Sequence, residues 1–260
     1  MFYPKQIPYL LNEDFKRNVE YQEFHYQELE EFCMCIWQMK SKHCLNTPLY
    51  NHILPDACID IIVNFITQEI FIVGFSSATV PLELKGDIDY LGVRLKPGAF
   101  YSLFKVPADE IMDKGISFKE LEKEYNLEPI LKEKDSQKRR ELLKAYLITK
   151  IRTAKDKYYI DFVNKLYHSP NDQTVLDIAK TFNYTKRHIN RIFKTNYGLS
   201  PKVLLNILRL HLCLTLILDE NMELINVATI CGFYDQSHFI KEIKKYTGIS
   251  PLGLLESYKK

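Results

Sequence analysis

The chain has 260 residues, 46% hydrophobic and 26% charged, with 35 Lys and Arg against 33 Asp and Glu for a formal net charge of +2. That is the composition of a soluble globular protein long enough for about two domains. No run approaches about 18 uncharged apolar residues, so no membrane-spanning segment is expected. The opening MFYPKQIPYLLNEDFKR carries acids early and lacks a clean apolar run ending in small residues, which argues against a secretory signal and places the protein in the cytoplasm.

From about Phe32 to Phe104 the texture is strand-like. CMCIWQM, CIDIIVNF, IFIVGF, VPLEL and DYLGVRL are short β-branched or aromatic runs, punctuated by Pro55-Asp56, Thr67-Gln68, Gly86-Asp87 and Pro97-Gly98 as turns. The aromatics Phe32, Trp37, Phe65, Phe71, Phe75 and Tyr90 read as core packing that is also able to enclose an apolar pocket. Arg94 lies on an otherwise apolar strand and is expected to snorkel to the surface. The six cysteines (33, 35, 44, 58, 213 and 231) show no CxxC pair and are expected as free buried thiols. Cys33, Cys35, His43, Cys44 and His52 fit no usual zinc spacing, so no metal and no cofactor is expected.

After Pro97 the pattern turns helical. GAFYSLFK predicts a short helix, Pro107-Ala-Asp starts another, and Lys119 to about Lys157 is charged with helical period, Leu142, Leu143, Tyr146, Leu147 and Ile151 marking its apolar stripe. That stripe fits either its own domain or a copy in a second chain, a homodimer. EKDSQKRR marks the passage from the β-rich half to the helical half. YIDFVNKLYHS is a helix closed by Pro170-Asn171. Thr174 and Asp177 are spaced as a capping box, Asn183-Tyr184 turns tightly, and Thr185 caps a helix from Lys186 to Tyr197 that Gly198 terminates. Ser200-Pro201 opens LLNILRLHLCLTLIL, apolar on nearly every side and so expected to be buried as a rigid connector.

The segment IAKTFNYTKRHINRIFKTNYGLSP recurs fifty positions later as VATICGFYDQSHFIKEIKKYTGISP, with Tyr184 set on Tyr234, Ile189 on Phe239, and Gly198-Leu-Ser-Pro201 on Gly248-Ile-Ser-Pro251. Two copies are too few for a solenoid, so each is a small unit. A short helix with a small residue (Ala179, Ala228), a tight turn and a longer amphipathic helix make the layout of a helix-turn-helix, whose second helix enters the major groove. Removing the inward positions leaves Lys186, Arg187, His188, Asn190, Arg191 and Lys194 outside in the first copy. In the second it leaves Gln236, Ser237, Ile240, Lys241, Lys244 and Lys245. Arg forks onto guanine, Asn and Gln onto adenine, Lys and Ser hold phosphates or base edges, and Ile can touch a thymine methyl. Solvated faces of amphipathic helices are the plainer explanation of one such surface; two in register, with Glu242 the one acid between Gln236 and Lys245, favour double-stranded DNA. Thirteen Lys and Arg against nine acids from Asp161 onward are compatible with that partner.

On these residues the last hundred positions resemble the DNA-binding domain of the AraC/XylS family of bacterial transcription regulators. The carriers are Val227-Ala228, Gly232-Phe233, Asp235-Gln-Ser237-His-Phe239, Lys241, Lys244-Lys245, Gly248-Ile-Ser250-Pro251 and the connector's Arg209-Leu210. Lys241, Ile243 and Cys213 depart from the family's usual Arg, Phe and Ala, and the first weakens a bidentate guanine contact. ILPDACIDIIVNF, GFSSA and GVRLKPGAFYSLFKVPADEI resemble a poorly characterised β-rich domain found ahead of such units. The resemblance implies a regulator, an activator type among them, working with RNA polymerase and controlled by a small-molecule effector or a protein partner in its first half. An enzyme is not expected: a methyl-acceptor repair protein needs a Pro-Cys-His-Arg setting and a four-cysteine metal site, and neither is present. The expected fold is α+β: a β-rich regulatory domain at 1–134, a helical linker at 135–157, and an all-α domain at 158–260 with two helix-turn-helix motifs joined by a connector helix. If the connector holds the two reading helices about 34 Å apart, they enter successive major-groove turns, about 10 bp from centre to centre.

Overall fold

The computed structural model describes residues 4, 12–76, 78–112, 114–121, 127–154, 157–168, 174–218 and 222–258. Most of the opening segment and the Pro170-Asn171 helix stop lie outside them.

Helix α1 (Glu13–Asn18) leads into strand β1 (Val19–Phe24), followed by β2 (Cys33–Ser41), β3 (Leu45–Ile53), β4 (Ile59–Asn64), β5 (Glu69–Val73), β6 (Val80–Gly86) and β7 (Asp89–Leu95). A short β8 (Gly115–Ser117) closes a six-stranded sheet of order β1-β2-β7-β4-β5-β8, in which every paired strand is antiparallel; β3 and β6 form a separate two-stranded ribbon. Each of the five strand-like runs is a strand. β1 and β3 carried no such signal, because polar residues interrupt VEYQEF and LNTPLYNHI and Pro48 sits within the second. Alternation on β4, with Ile59, Ile61 and Val63 buried, turns one face of the sheet to the core. Gly92 is the closest approach in the sheet. It pairs with Trp37, and a Cβ there would lie 2.2 Å from the indole, so only glycine lets the Trp37 ring lie across β7.

The helical half begins with α2 (Ala99–Phe104), α3 (Phe118–Leu121), α4 (Glu128–Lys132) and α5 (Ser136–Thr153). Asp135 caps α5 by accepting from the Lys138 amide at 2.8 Å. Leu143, Tyr146 and Leu147 are buried in the β-rich body's own core, the Tyr146 ring edge-on to Phe118, and Leu142 alone of the stripe's first four is exposed. The stripe is therefore filled from within the chain and is not a free face for a second copy. Arg139 forms an ion pair with Asp89 at 2.9 Å and lies over the Phe65 ring, while Arg140 donates to Gln38 and lies over Phe24. The EKDSQKRR segment is thus bonded onto the sheet.

Then follow α6 (Tyr158–His168), α7 (Val175–Thr181), α8 (Lys186–Tyr197), α9 (Pro201–Leu218), α10 (Leu224–Ile230), α11 (Gln236–Thr247) and α12 (Pro251–Tyr258). By length and composition α9 is long and apolar enough to cross a bilayer, with mean hydropathy 1.6. Twelve of its eighteen residues are buried, as expected of a core connector. The core of the body runs without a break into the first unit through Phe162, Ile189, Phe193 and Tyr197, and the second unit closes around Cys213, Leu214, Val227, Phe239 and Ile243.

One residue of the β-rich body belongs to that second core. Leu54, from the turn between β3 and β4, is 1% exposed among Leu210, Leu214, Phe239 and Leu254. Next to it the Pro55 carbonyl accepts from His211 Nε2 at 2.8 Å, in the buried middle of α9. Ala57 holds the turn with φ of 58°, a left-handed conformation uncommon for alanine.

Candidate nucleic-acid interface

Each unit is built by the same local bonds. In the first, Thr174 caps α7 through the Asp177 capping box; the bonded Thr174 hydroxyl and amide hold the Asp177 carboxyl below its usual pKa. Ala179 and Ala228 are buried where the short helix crosses the long one. Asn183 (φ 54°) and Gly232 (φ 66°) then take left-handed turns, and the Tyr184 amide bonds the Ala179 carbonyl as the Phe233 amide bonds that of Ala228, both at 2.9 Å. These bonds correct the repeat by one position: Phe233, and not Tyr234, is the counterpart of Tyr184. The extra residue of the second turn is Tyr234 itself, which protrudes with 94% of its surface exposed. Both counterparts stand over a histidine of the following helix, Tyr184 at 4.2 Å from the His188 ring and Phe233 at 5.3 Å from that of His238.

The two longer helices share their boundaries. Thr185 accepts from the His188 amide at 3.3 Å and Asp235 from that of His238 at 2.7 Å. Gly198 (φ 69°) and Gly248 (φ 74°) end them, bonding the carbonyls of Lys194 and Lys244. Ile189 and Phe193 in the first, Phe239 and Ile243 in the second, are buried, which turns the opposite faces outward.

On those faces Lys186, Arg187, Arg191 and Lys194 are exposed in α8, and Gln236, Ser237, Ile240, Lys241, Lys244 and Lys245 in α11. Two residues are engaged locally. Asn190 is half-buried and its amide donates to the Lys186 carbonyl at 2.9 Å, while a guanidinium nitrogen of Arg191 lies 3.2 Å from His188 Nδ1. Lys245 stands 3.9 Å from Glu242, at the limit of an ion pair. The surface also carries the exposed Tyr184, Tyr234 and His238, which were not among the sequence-selected positions. The repeat was the signal for them, since each stands in or beside the turn that enters a reading helix.

The paired units have relatives. Residues 178–257 match a helix-turn-helix domain family, and residues 26–117 match a domain of unknown function, DUF6597. The last third of the chain is a helix-turn-helix domain of the AraC type. The chain is 32% identical over 91 residues to the lactose operon transcription activator of Staphylococcus xylosus, covering 35% of this chain and 32% of that protein. It is 31% identical over 78 residues to the raffinose operon transcriptional regulatory protein RafR of Pediococcus pentosaceus, covering 30% and 28%. The chain thus spans about a third or less of the length of these curated relatives. Among solved structures, ToxT from Vibrio cholerae bound to (E)-4-(8-methylnaphthalen-1-yl)but-3-enoic acid is 14% identical, with 93% of this chain and 98% of that chain covered at a TM-score of 0.41.

The β-rich body holds a second polar cluster, and it overturns the expectation for Arg94. This side chain does not snorkel outward: it is 7% exposed, with Nε 3.4 Å from Asp60 and 3.8 Å from Asp56, and Nη1 3.8 Å from Glu23. Trp37 Nε1 donates to Asp60 at 2.9 Å, and Tyr21 to Glu23 at 2.7 Å. The carboxylates explain the inward turn, since four ionisable groups meet where β1, β4 and β7 and the Pro55-Asp56 turn converge. Desolvation opposes the charge of Arg94, but the neighbouring Asp60 and Asp56 outweigh it and raise its pKa above the usual. Desolvation raises the Asp60 carboxyl, with Arg94 pulling the other way.

Burial pushes the Cys33 thiol up to about 12 and raises those of Cys35 and Cys58, so their thiolates are disfavoured as nucleophiles. Cys44, expected inside, is exposed. Phe32, Trp37, Phe65 and Phe75 fill the core, and a cleft of about 270 Å³ between β1, β2 and the start of α5 is lined by polar residues, among them Lys40, Gln38 and Arg140.

Proposed function

We propose that the chain is a sequence-specific DNA-binding transcription regulator whose two AraC-type units read successive major-groove segments from one face of a duplex. The observation that carries this reading is the pair of helices with equivalent caps and glycine stops, each burying its apolar face and exposing a cationic and amide face. One such unit touches too few base pairs to be selective, which gives a reason for the doubling. Within the reading faces Arg187 and Arg191 supply the forked contacts, Gln236 the amide contact, and Lys186, Lys194, Lys241, Lys244 and Lys245 hold phosphates. Asn190, Ser237 and Ile240 complete the base-edge set.

The division into a body at 1–134, a helical segment at 135–157 and a DNA-reading part at 158–260 belongs to this proposal. The body acts as the control element. What supports that role is the continuity of its core with the first unit and the insertion of Leu54 into the second.

Arg191→Ala is expected to lose about 1–3 kcal/mol on the DNA that the protein selects from a random pool, and to relax one base preference. Binding titrations on selected and scrambled duplexes check this. Equal losses on both would make Arg191 a phosphate contact, and failure of the wild type to enrich any sequence would end the reading as a whole.

A further inference from the structure

Two residues of the loop between β5 and β6, Phe75 and Thr79, take no part in either reading face, yet they touch the far end of both. Phe75 is 3% exposed, and its ring fills the space beside Gly198, the left-handed residue that ends α8: a Cβ on Gly198 would fall 2.0 Å from Phe75 Cζ. Four residues on, Thr79 Oγ1 donates to the Tyr246 carbonyl oxygen at 2.5 Å. Tyr246 lies in the last turn of α11, where carbonyls have no partner within the helix, so the hydroxyl satisfies a group that the helix leaves open. Asn196, two residues before Gly198, stands at the same place in the repeat as Tyr246, two residues before Gly248. Phe75 and Thr79 of the body therefore meet equivalent ends of the two reading helices.

The connector joins the two units through a single helix, a tie at one end of each. Leu54 and the His211–Pro55 bond hold the second unit to the body near the middle of the connector; the Phe75 and Thr79 contacts add a tie at the ends of the reading helices themselves. We propose that Phe75 and Thr79 are positioning residues: they fix the placement of the second reading helix against the first, so that the body sets the base-pair spacing the protein accepts. This inference rests on the DNA-reading function proposed above and adds to it the source of the spacing. A ligand or partner that moved this loop would change which sites are bound without touching a base contact.

The test uses the full chain and duplexes selected by the wild type, compared with the same duplexes carrying one or two base pairs inserted between the two contacted segments. Thr79→Val removes the hydroxyl at nearly constant volume, and Thr79→Ser restores it. The wild type is expected to bind the inserted duplexes at least tenfold more weakly than the selected one. Thr79→Val is expected to narrow that ratio about three- to tenfold, the scale of one lost hydrogen bond, and Thr79→Ser to return it to the wild-type value. A Thr79→Val protein that keeps the wild-type ratio, or loses affinity equally at every spacing, overturns the positioning role while leaving DNA reading intact. A wild type that selects no DNA overturns both.

Discussion

Arg94→Met is expected to cost about 3–5 kcal/mol of folding stability, because removing one member of a buried ionic cluster leaves its partners uncompensated. Methionine keeps most of the volume, so the loss is electrostatic and not a cavity. Asp60 and Asp56 would remain 20% and 10% exposed in their side chains, without the guanidinium that now lies within 4 Å of both. The pH dependence follows from the sign of the Asp60 shift. Its pKa is raised in the folded state, so the folded protein holds a proton that the unfolded chain releases near 3.8. The associated stability is present below that value and is lost as pH rises through the raised pKa. Without Arg94 the opposing pull is gone and this window extends upward. Urea titrations at pH 5.5 and 7.5 check the prediction: the deficit of Arg94→Met is larger at 7.5. An equal deficit at both values would mean that lost packing, and not charge, explains the variant.

Leu54→Ala is the second large effect, about 2–5 kcal/mol for a fully buried leucine. Its distinguishing feature is location. Leu54 belongs by sequence to the β-rich body but is buried in the apolar cluster that the connector's Leu210 and Leu214 form with Phe239 and Leu254 of the second unit. Amide exchange is therefore expected to rise in α10, α11 and the second half of α9, while β4 and β7 stay protected. Faster exchange in the sheet, with the second unit unchanged, would show that the turn stabilises the body instead. The neighbouring bond from His211 to Pro55 gives the same turn a polar anchor on α9, so loss of the leucine loosens the contact without releasing the turn.

How much of this was legible depended on whether the signal was local. Caps, stops and periodicity are written within a few residues, and so Thr174, Thr185, Asp235, Gly198 and Gly248 take the places their chemistry demands. The five strands with β-branched runs were equally plain, whereas β1 and β3 form because partners are available and not because of their own composition. Long-range pairing left no such mark. Arg94 reads as a lone charge on an apolar strand, and only the fold brings Asp56, Asp60 and Glu23 to it. The Leu142 to Leu147 stripe announces burial but not against what. The sequence shows the second turn longer by one residue, and a backbone bond settles that Phe233, and not Tyr234, stands opposite Tyr184. Leu54, Phe75 and Thr79 lie in turns whose partners are more than a hundred residues away, so the contacts joining the body to the reading units became visible only in three dimensions.

The central claim is that the two basic helices read one face of a duplex a single turn apart. Its most direct test is guanine methylation interference on DNA selected by the full chain, since N7 methyl groups mark major-groove contacts base by base. Two clusters of interference centred about 10 bp apart are expected, the cluster belonging to α8 fading in Arg191→Ala. A single cluster, or two that lie about half a turn apart on opposite faces, would contradict the claim.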